Sequence, residues 1–169
     1  MKQHTYYLGI LDKIIPTATG DPGERTFLLH LEGTHGTARL WLEKEQLLEL
    51  AKASQQMYNM FDATSSLQTQ APRGYVIEED QLDFECRISR LRLYHEPKQD
   101  LFVIEAEESS DDSPSTKIIE FLISVSQLAD LSSQAFKICA SGRPYCDLCG
   151  LAMDPDFHMC PQPTWDDSY

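Results

Sequence analysis

The first third of the chain alternates apolar and polar residues with the period of two that is typical of β-strands. One alternating segment runs from His4 to Ile15 and ends where Pro16 removes a backbone donor. Its apolar side is predicted to carry Tyr6, Leu8, Ile10 and Ile14. After a glycine-rich turn, a second segment covers Arg25–Glu32, and a third carries Ala38, Leu40 and Leu42. The pattern predicts three sequential antiparallel strands.

From Glu43 onward the apolar residues recur at the spacing of an amphipathic helix. Acidic residues stand at the start of this segment, where a first helical turn favours them, and Phe61 is its last apolar position. The following segment, Asp62–Asp80, is polar, contains proline and glycine, and shows no period. We expect a helix packed on the sheet, followed by a connecting loop.

The second half of the chain repeats this plan. Strands are predicted at about Leu82–Tyr94, Leu101–Glu107 and Lys117–Ile123, and a helix at about Ser126–Ser141, which Gly142 ends. In the first of these strands the inward phase slips from Ile88 to Leu91, which indicates a β-bulge or an exposed edge.

An internal duplication would explain the repeated order. When Gln46 is placed over Gln127, Leu47 and Leu50 fall on Leu128 and Leu131. Chance similarity between two amphipathic helices is the alternative. The predicted fold class is α+β, with two β-β-β-α units, antiparallel sheets and packed helices.

Composition and charge restrict the protein class. Hydrophobic residues make up 41% and charged residues 24% of 169 residues, as in globular proteins. The apolar runs are too short to span a bilayer, and the N-terminal residues lack the apolar stretch of a secretory signal, so we expect a cytoplasmic protein without membrane segments. The net charge of −13 repels phosphate backbones, so no nucleic-acid partner is expected.

Three of the five cysteines crowd the C-terminus in a pattern of metal ligands. Cys146 and Cys149 form a Cys-x₂-Cys knuckle, and His158 and Cys160 follow in a segment whose alternation would place both on one side. Four soft protein ligands favour Zn²⁺ and leave no position for a catalytic water. The sequence therefore predicts a structural zinc site.

Two alternatives to this assignment remain open. A redox pair would use the same Cys-x₂-Cys spacing, but that motif belongs to a strand-to-helix turn and not to a tail after the last helix. The fourth ligand could also be Asp154 or His30 in place of His158. We expect an α+β domain over residues 1–142, with halves at about 1–62 and 80–142, and a zinc-binding tail over residues 143–169.

The chain resembles a bacterial family catalogued as domain of unknown function 3090. The resemblance rests on segments spread in order along the chain, of which the cysteine-rich segment is the most specific. The segments are Thr19–Phe27, Leu42–Gln46, Phe84–Ile88, Val103–Ala106, Ser141–Gly150 and His158–Pro161. It implies the same zinc ligands and a bacterial cytoplasmic origin, and it implies no activity. After Pro161 the Arg-x-Asn-Gly continuation typical of the family is replaced by Gln162-Pro163-Thr164-Trp165.

Three arginines, Arg25, Arg87 and Arg143, fall within these family-like segments. If they converged, they could bind a phosphate or carboxylate group, whereas the simpler interpretation pairs each with a nearby acid. Two functional hypotheses follow. The first is a non-catalytic protein-binding or adaptor module, and the second is an enzyme or ligand sensor for a small anionic molecule at these arginines.

Overall fold

A computed structural model of the chain describes residues 2–21, 23–62, 81–111 and 115–140, together with Cys146, Leu148 and Cys160. In these ranges two β-β-β-α units follow one another, which confirms the predicted α+β class and element order. The first unit consists of β1 (Lys2–Thr19), β2 (Thr26–Gly33), β3 (Gly36–Leu42) and α1 (Lys44–Asp62). The second consists of β4 (Leu82–Glu96), β5 (Leu101–Glu108), β6 (Ser115–Ile123) and α2 (Val125–Ala140).

The strands form a closed barrel in sequence order. Neighbouring strands within each unit are antiparallel, as predicted. Two further pairings, which the sequence did not predict, are parallel: β1 pairs with β6 and β3 with β4. A Cβ at Gly36 would collide with the backbone oxygen of Leu82, so glycine is required where the second parallel pair begins.

The two long strands change neighbours along their length. β1 pairs with β6 up to Ile10 and with β2 from Leu11, with a register shift just after Leu11. β4 pairs with β3 through Arg87 and with β5 from Ile88, with a register shift just after Ile88. The predicted phase slip in β4 is therefore a β-bulge.

Two details of the first predicted strand were wrong. β1 continues past Pro16 to Thr19, with Pro16 buried and paired with Leu29 of β2. Among the described residues no strand pairs with the other edge of β1 at Pro16, so the missing N–H costs no ladder hydrogen bond in this part of the structure. Ile10 also leaves the predicted inward face, because the register shifts on either side of it break the simple alternation.

Buried side chains from both units form one hydrophobic core inside the barrel and beneath the helices. Leu29 and Leu40 come from the first unit, and Ile104 and Phe121 from the second. A smaller cluster on the opposite face contains Leu101, Val103 and Leu122, with Ile10 packed against it. Because the main core contains side chains from both units, neither unit has a main core of its own among the described residues. The domain boundary at residue 142 and the duplication itself stay predictions.

One glutamine at the start of each helix contacts the backbone of the opposite unit. The Gln46 amide oxygen accepts from Glu43 N at 2.8 Å, and its nitrogen donates to the Ile88 and Ser89 carbonyls, both at 3.1 Å. Gln127 accepts from Ser124 N at 2.8 Å and donates to the Leu11 carbonyl at 2.8 Å. Each glutamine therefore caps its helix and fixes it to the point where a long strand changes neighbours.

The two helices pack through small residues. Ala51 and Ser54 of α1 and Ala135 of α2 are fully buried, and Ser132 Oγ donates to the Ala51 carbonyl at 3.0 Å. Ser54 Oγ is buried without a hydrogen-bond partner among the residues described. Small side chains let the helix backbones approach closely, which explains why both helices contribute to one core.

Over the described ranges, neither helix is long and apolar enough to cross a membrane.

We predict that Gln46→Ala and Gln127→Ala each lower the free energy of unfolding by about 1–3 kcal/mol, because strand carbonyls lose their donor. Urea unfolding would measure this, with the exposed Gln55→Ala as the control. Gln46→Glu keeps the cap acceptor but turns a carboxylate towards two carbonyl oxygens. Gln46→Glu should therefore destabilise the protein as well. If it left the free energy of unfolding unchanged, the role of Gln46 would be limited to capping the helix.

The two buried serines should respond oppositely to alanine. Ser132→Ala removes the hydrogen bond that the hydroxyl donates to the Ala51 carbonyl. It should therefore lower the free energy of unfolding by about 1 kcal/mol. Ser54→Ala removes a buried hydroxyl without a described partner, so it should be neutral or stabilising. Thermal and urea unfolding of the two variants would test the contrast, and equal losses would contradict it.

Candidate metal centre and binding groove

Two of the predicted zinc ligands lie within the described part of the chain and are close together. The Sγ atoms of Cys146 and Cys160 are 4.0 Å apart, although the residues are separated by 14 positions. Two thiolates bound at about 2.3 Å to one tetrahedral ion would be about 3.8 Å apart. A disulfide would hold its sulfurs at about 2.05 Å. The distance therefore fits two ligands of one zinc ion and excludes a disulfide here.

The other two predicted ligands, Cys149 and His158, lie outside the described residues, as does the alternative Asp154. His30 lies in β2, and it does not join the two cysteines into a metal-binding group of three among the residues described. The four-ligand site is thus still a prediction, and the donor chemistry of its two described members fits it.

The structure places two of the three predicted arginines on either side of β3. Arg87 of β4 faces solvent and binds the Glu43 carboxylate at 2.9 Å, with both side chains about two-thirds exposed. Arg25 precedes β2 and its Nε is buried. Two strand spacings, about 9.5 Å, separate β2 from β4, so convergence would need both side chains to reach across β3. Arg143 lies outside the described residues, and the anion site stays a prediction.

Polar and charged side chains of β4 pair with those of its two neighbouring strands, β3 and β5. Arg92 and Tyr94 both contact Glu105, at 3.2 and 3.1 Å. Partial burial, together with the hydrogen bond to Glu105, raises the pKa of Tyr94 to about 12. Arg39 binds Glu85 at 2.9 Å. The two arginine–glutamate contacts are ordinary surface ion pairs, each worth about 0–1 kcal/mol.

The two cysteines outside the C-terminal cluster, Cys86 and Cys139, differ in their burial. Cys139 belongs to the core, whereas Cys86 is only half-buried and lines a cavity of about 190 Å³ beside Lys117. Burial, with the nearby Glu108 carboxylate, raises the pKa of the Cys86 thiol to about 11. At neutral pH the thiol is therefore protonated and a poor nucleophile.

A larger groove of about 450 Å³ lies between α1 and the second half of β4. α1 lies beside this part of β4, with Gln46 at Ser89 near one end and the Phe61 ring 4.2 Å from His95 at the other. The groove is lined by Glu45, Gln46, Glu49, Leu50 and Ala53 of α1 and by Ser89, Arg90, Leu91, Arg92 and Leu93 of β4. The residue pattern along the chain did not predict this groove. Its one sequence signal was the phase slip between Ile88 and Leu91.

Comparison with known proteins identifies the family. The family model described as "Protein of unknown function (DUF3090)" matches residues 6–160, and the chain belongs to this family. The match confirms the resemblance seen in the sequence. Neither the curated proteins nor the solved structures contain a match to this chain.

We predict that Cys86 reacts slowly with iodoacetamide at pH 8, about 100-fold below a thiol with the ordinary pKa of 9.0, because its pKa is about 11. Its pKa is raised, so the reactive thiolate is absent at neutral pH and accumulates only as the pH approaches 11. Mass spectrometry of alkylated peptides across pH would measure the rate. A Cys86 rate with an inflection below pH 9 would contradict the prediction.

Proposed function

We propose that this member of the DUF3090 family is a non-catalytic protein-binding module, with a C-terminal segment stabilised by a structural zinc ion. The groove between α1 and β4 is the observation that carries the binding function. It combines an apolar floor, from Leu50, Leu91 and Leu93, with an exposed strand edge. Protein segments commonly dock on surfaces of this kind, because such surfaces offer both apolar contact and backbone hydrogen bonds.

The zinc ion would be held by Cys146, Cys149, His158 and Cys160. The distance between the described thiols supports this set, since it is close to the edge of a tetrahedral zinc–thiolate site. Four protein ligands leave no open coordination position, so the ion would supply folding free energy to residues 143–169 and no Lewis-acid chemistry. A cytoplasmic location belongs to the proposal, because a reducing compartment keeps these thiols available for metal.

The alternative, an enzyme or sensor for a small anion at Arg25, Arg87 and Arg143, has less support. The Arg87 guanidinium is already bound by Glu43, whose negative charge opposes the binding of a second anion. A thermal-shift panel of phosphate-bearing compounds would discriminate between the two functions. Stabilisation of the wild type that is lost in Arg87→Ala would overturn the non-catalytic proposal in favour of the anion site.

A direct test of protein binding uses the chain in its native cells. Chemical crosslinking followed by mass spectrometry should connect the chain to a defined protein partner at residues of α1 or β4. The control is the same experiment with Arg39→Gln, a change on the barrel surface away from the groove, which should leave the crosslinks unchanged. Crosslinks that involve no partner above background would contradict the proposed function.

We predict about one zinc per chain in protein prepared without added metal. Cys146→Ser and Cys149→Ser should each lose the ion, because three ligands bind zinc far more weakly than four. Cys86→Ser is the matched control and should retain it. Elemental analysis gives the stoichiometry. A chelator should open residues 143–169 in hydrogen exchange while the barrel stays protected, and metal-free protein with a fully protected tail would contradict the zinc site.

A further inference from the structure

Beyond Leu11 and Ile88 the two long strands are equivalent position by position. A register shift follows each of these residues, so Ile14 of β1 corresponds to Leu91 of β4, and Pro16 corresponds to Leu93. Beyond each bulge the strand pairs on one side with its hairpin partner, and a helix lies on the other side. The barrel therefore presents two comparable strand edges, one beside each helix.

The two strands differ in how deeply their equivalent side chains are buried. Ile14 is 8% exposed and Pro16 is buried. The corresponding Leu91 and Leu93 are only partly buried, and they line the groove. The groove is thus the place where the second half of β4 lacks the cover that the equivalent part of β1 has.

The two edges also differ in their backbone donors. Proline is accepted within a sheet where its nitrogen faces away from the paired neighbour, so Pro16 removes a donor from the edge beside α2. Leu93 holds the equivalent position in β4 and keeps its N–H, which therefore points into the groove. β4 contains no proline from Leu82 to Glu96. One edge is closed to a further strand, and the other can accept one.

The polar groups of the groove define where such a strand would pair. Gln46 occupies the carbonyls of Ile88 and Ser89, so the first free backbone groups of the open edge are those of Leu91. Arg90 and Glu45 both line the groove, and neither has an ion-pair partner among the described residues. By contrast, Lys13, which is equivalent to Arg90 in β1, binds Glu32 at 3.0 Å.

We propose that the groove binds an extended segment of a partner protein, which adds to the open edge of β4 as a further strand. Apolar side chains at alternate positions of this segment would pack against Leu91, Leu93 and Ala53. An acidic side chain would lie opposite Arg90, and a basic one beside Glu45. This inference rests on the proposed protein-binding function and specifies the form of its partner.

An extended peptide fits these features better than a small molecule does. Five consecutive residues of one strand form a wall of the groove, so its hydrogen-bonding groups repeat at the spacing of a β-ladder. In such pairing the backbone supplies affinity and alternate side-chain positions supply specificity. Arg90 and Glu45, which have no ion-pair partner within the described part of the chain, add the requirement that the segment carry both a negative and a positive charge.

The test is a displayed library of decapeptides selected against the zinc-loaded full chain, followed by fluorescence anisotropy of the selected peptides. Ala53→Leu should fill the groove and weaken binding by about tenfold or more. Gln134→Leu, at the equivalent position of α2, is the matched control and should change nothing. Arg90→Gln should weaken binding of acidic peptides, whereas Lys13→Gln should not.

Strand addition has its own readouts. Leu93→Pro copies the natural Pro16 edge and should abolish binding, and bound peptide should slow hydrogen exchange of the Leu91 and Leu93 amides in the wild type. If Leu93→Pro does not fold, Ala53→Leu and the exchange measurement still decide the question. One outcome would overturn strand addition: Ala53→Leu loses binding, but bound peptide does not slow amide exchange in the wild type.

Three other results would overturn the inference. None of them would decide the proposed protein-binding function, which the crosslinking experiment tests separately. Peptides that bind Ala53→Leu as tightly as the wild type would place the docking surface elsewhere. Absence of any peptide with a Kd below about 100 μM would exclude the groove as a peptide site. A wild-type dimer that Leu93→Pro converts to a monomer would show that a second copy of the chain fills the edge.

Discussion

The fold depends on how β1 and β4 change neighbours, and on the side-chain amide that satisfies the backbone at each change. A strand that leaves one neighbour for another exposes carbonyl groups, and an unpaired buried carbonyl costs about 1–3 kcal/mol. Gln46 and Gln127 supply the missing donors from the first turn of each helix. Because each helix reaches the long strand of the other unit, neither β-β-β-α unit satisfies its own backbone. The two units also depend on each other through the shared core and through the parallel strand pairs, each of which joins one unit to the other.

The sequence predicted what depends on neighbouring residues along the chain. Apolar periodicity located all the described strands and helices, and the slip between Ile88 and Leu91 located a bulge, because a strand keeps one face towards the core. It did not predict the parallel pairs, since these join strands that are distant in the chain. The continuation past Pro16 was missed for a related reason. A proline ends a strand only when both edges are paired, and the number of paired edges is a property of the whole barrel.

The same distinction separates the two candidate sites. Cysteine spacing predicts metal ligands because the chemistry lies in the residues themselves, and the thiols of Cys146 and Cys160 are close enough to share an ion. The groove has no such signature. It arises because Leu91 and Leu93 are only partly buried beside α1, whereas the equivalent Ile14 and Pro16 of β1 are buried. Only a comparison of the two units in three dimensions shows this difference.

The charge of the molecule constrains how such a groove would work. A chain with a net charge of −13 repels an acidic partner at long range, so the local attraction of Arg90 acts only after contact. Basic residues flanking the docked segment would instead steer the encounter and meet acids such as Glu45. A partner segment with a basic flank and one acid within the paired stretch satisfies both requirements. Since long-range steering is screened by salt and backbone pairing is not, association should slow with ionic strength while the dissociation rate stays nearly constant.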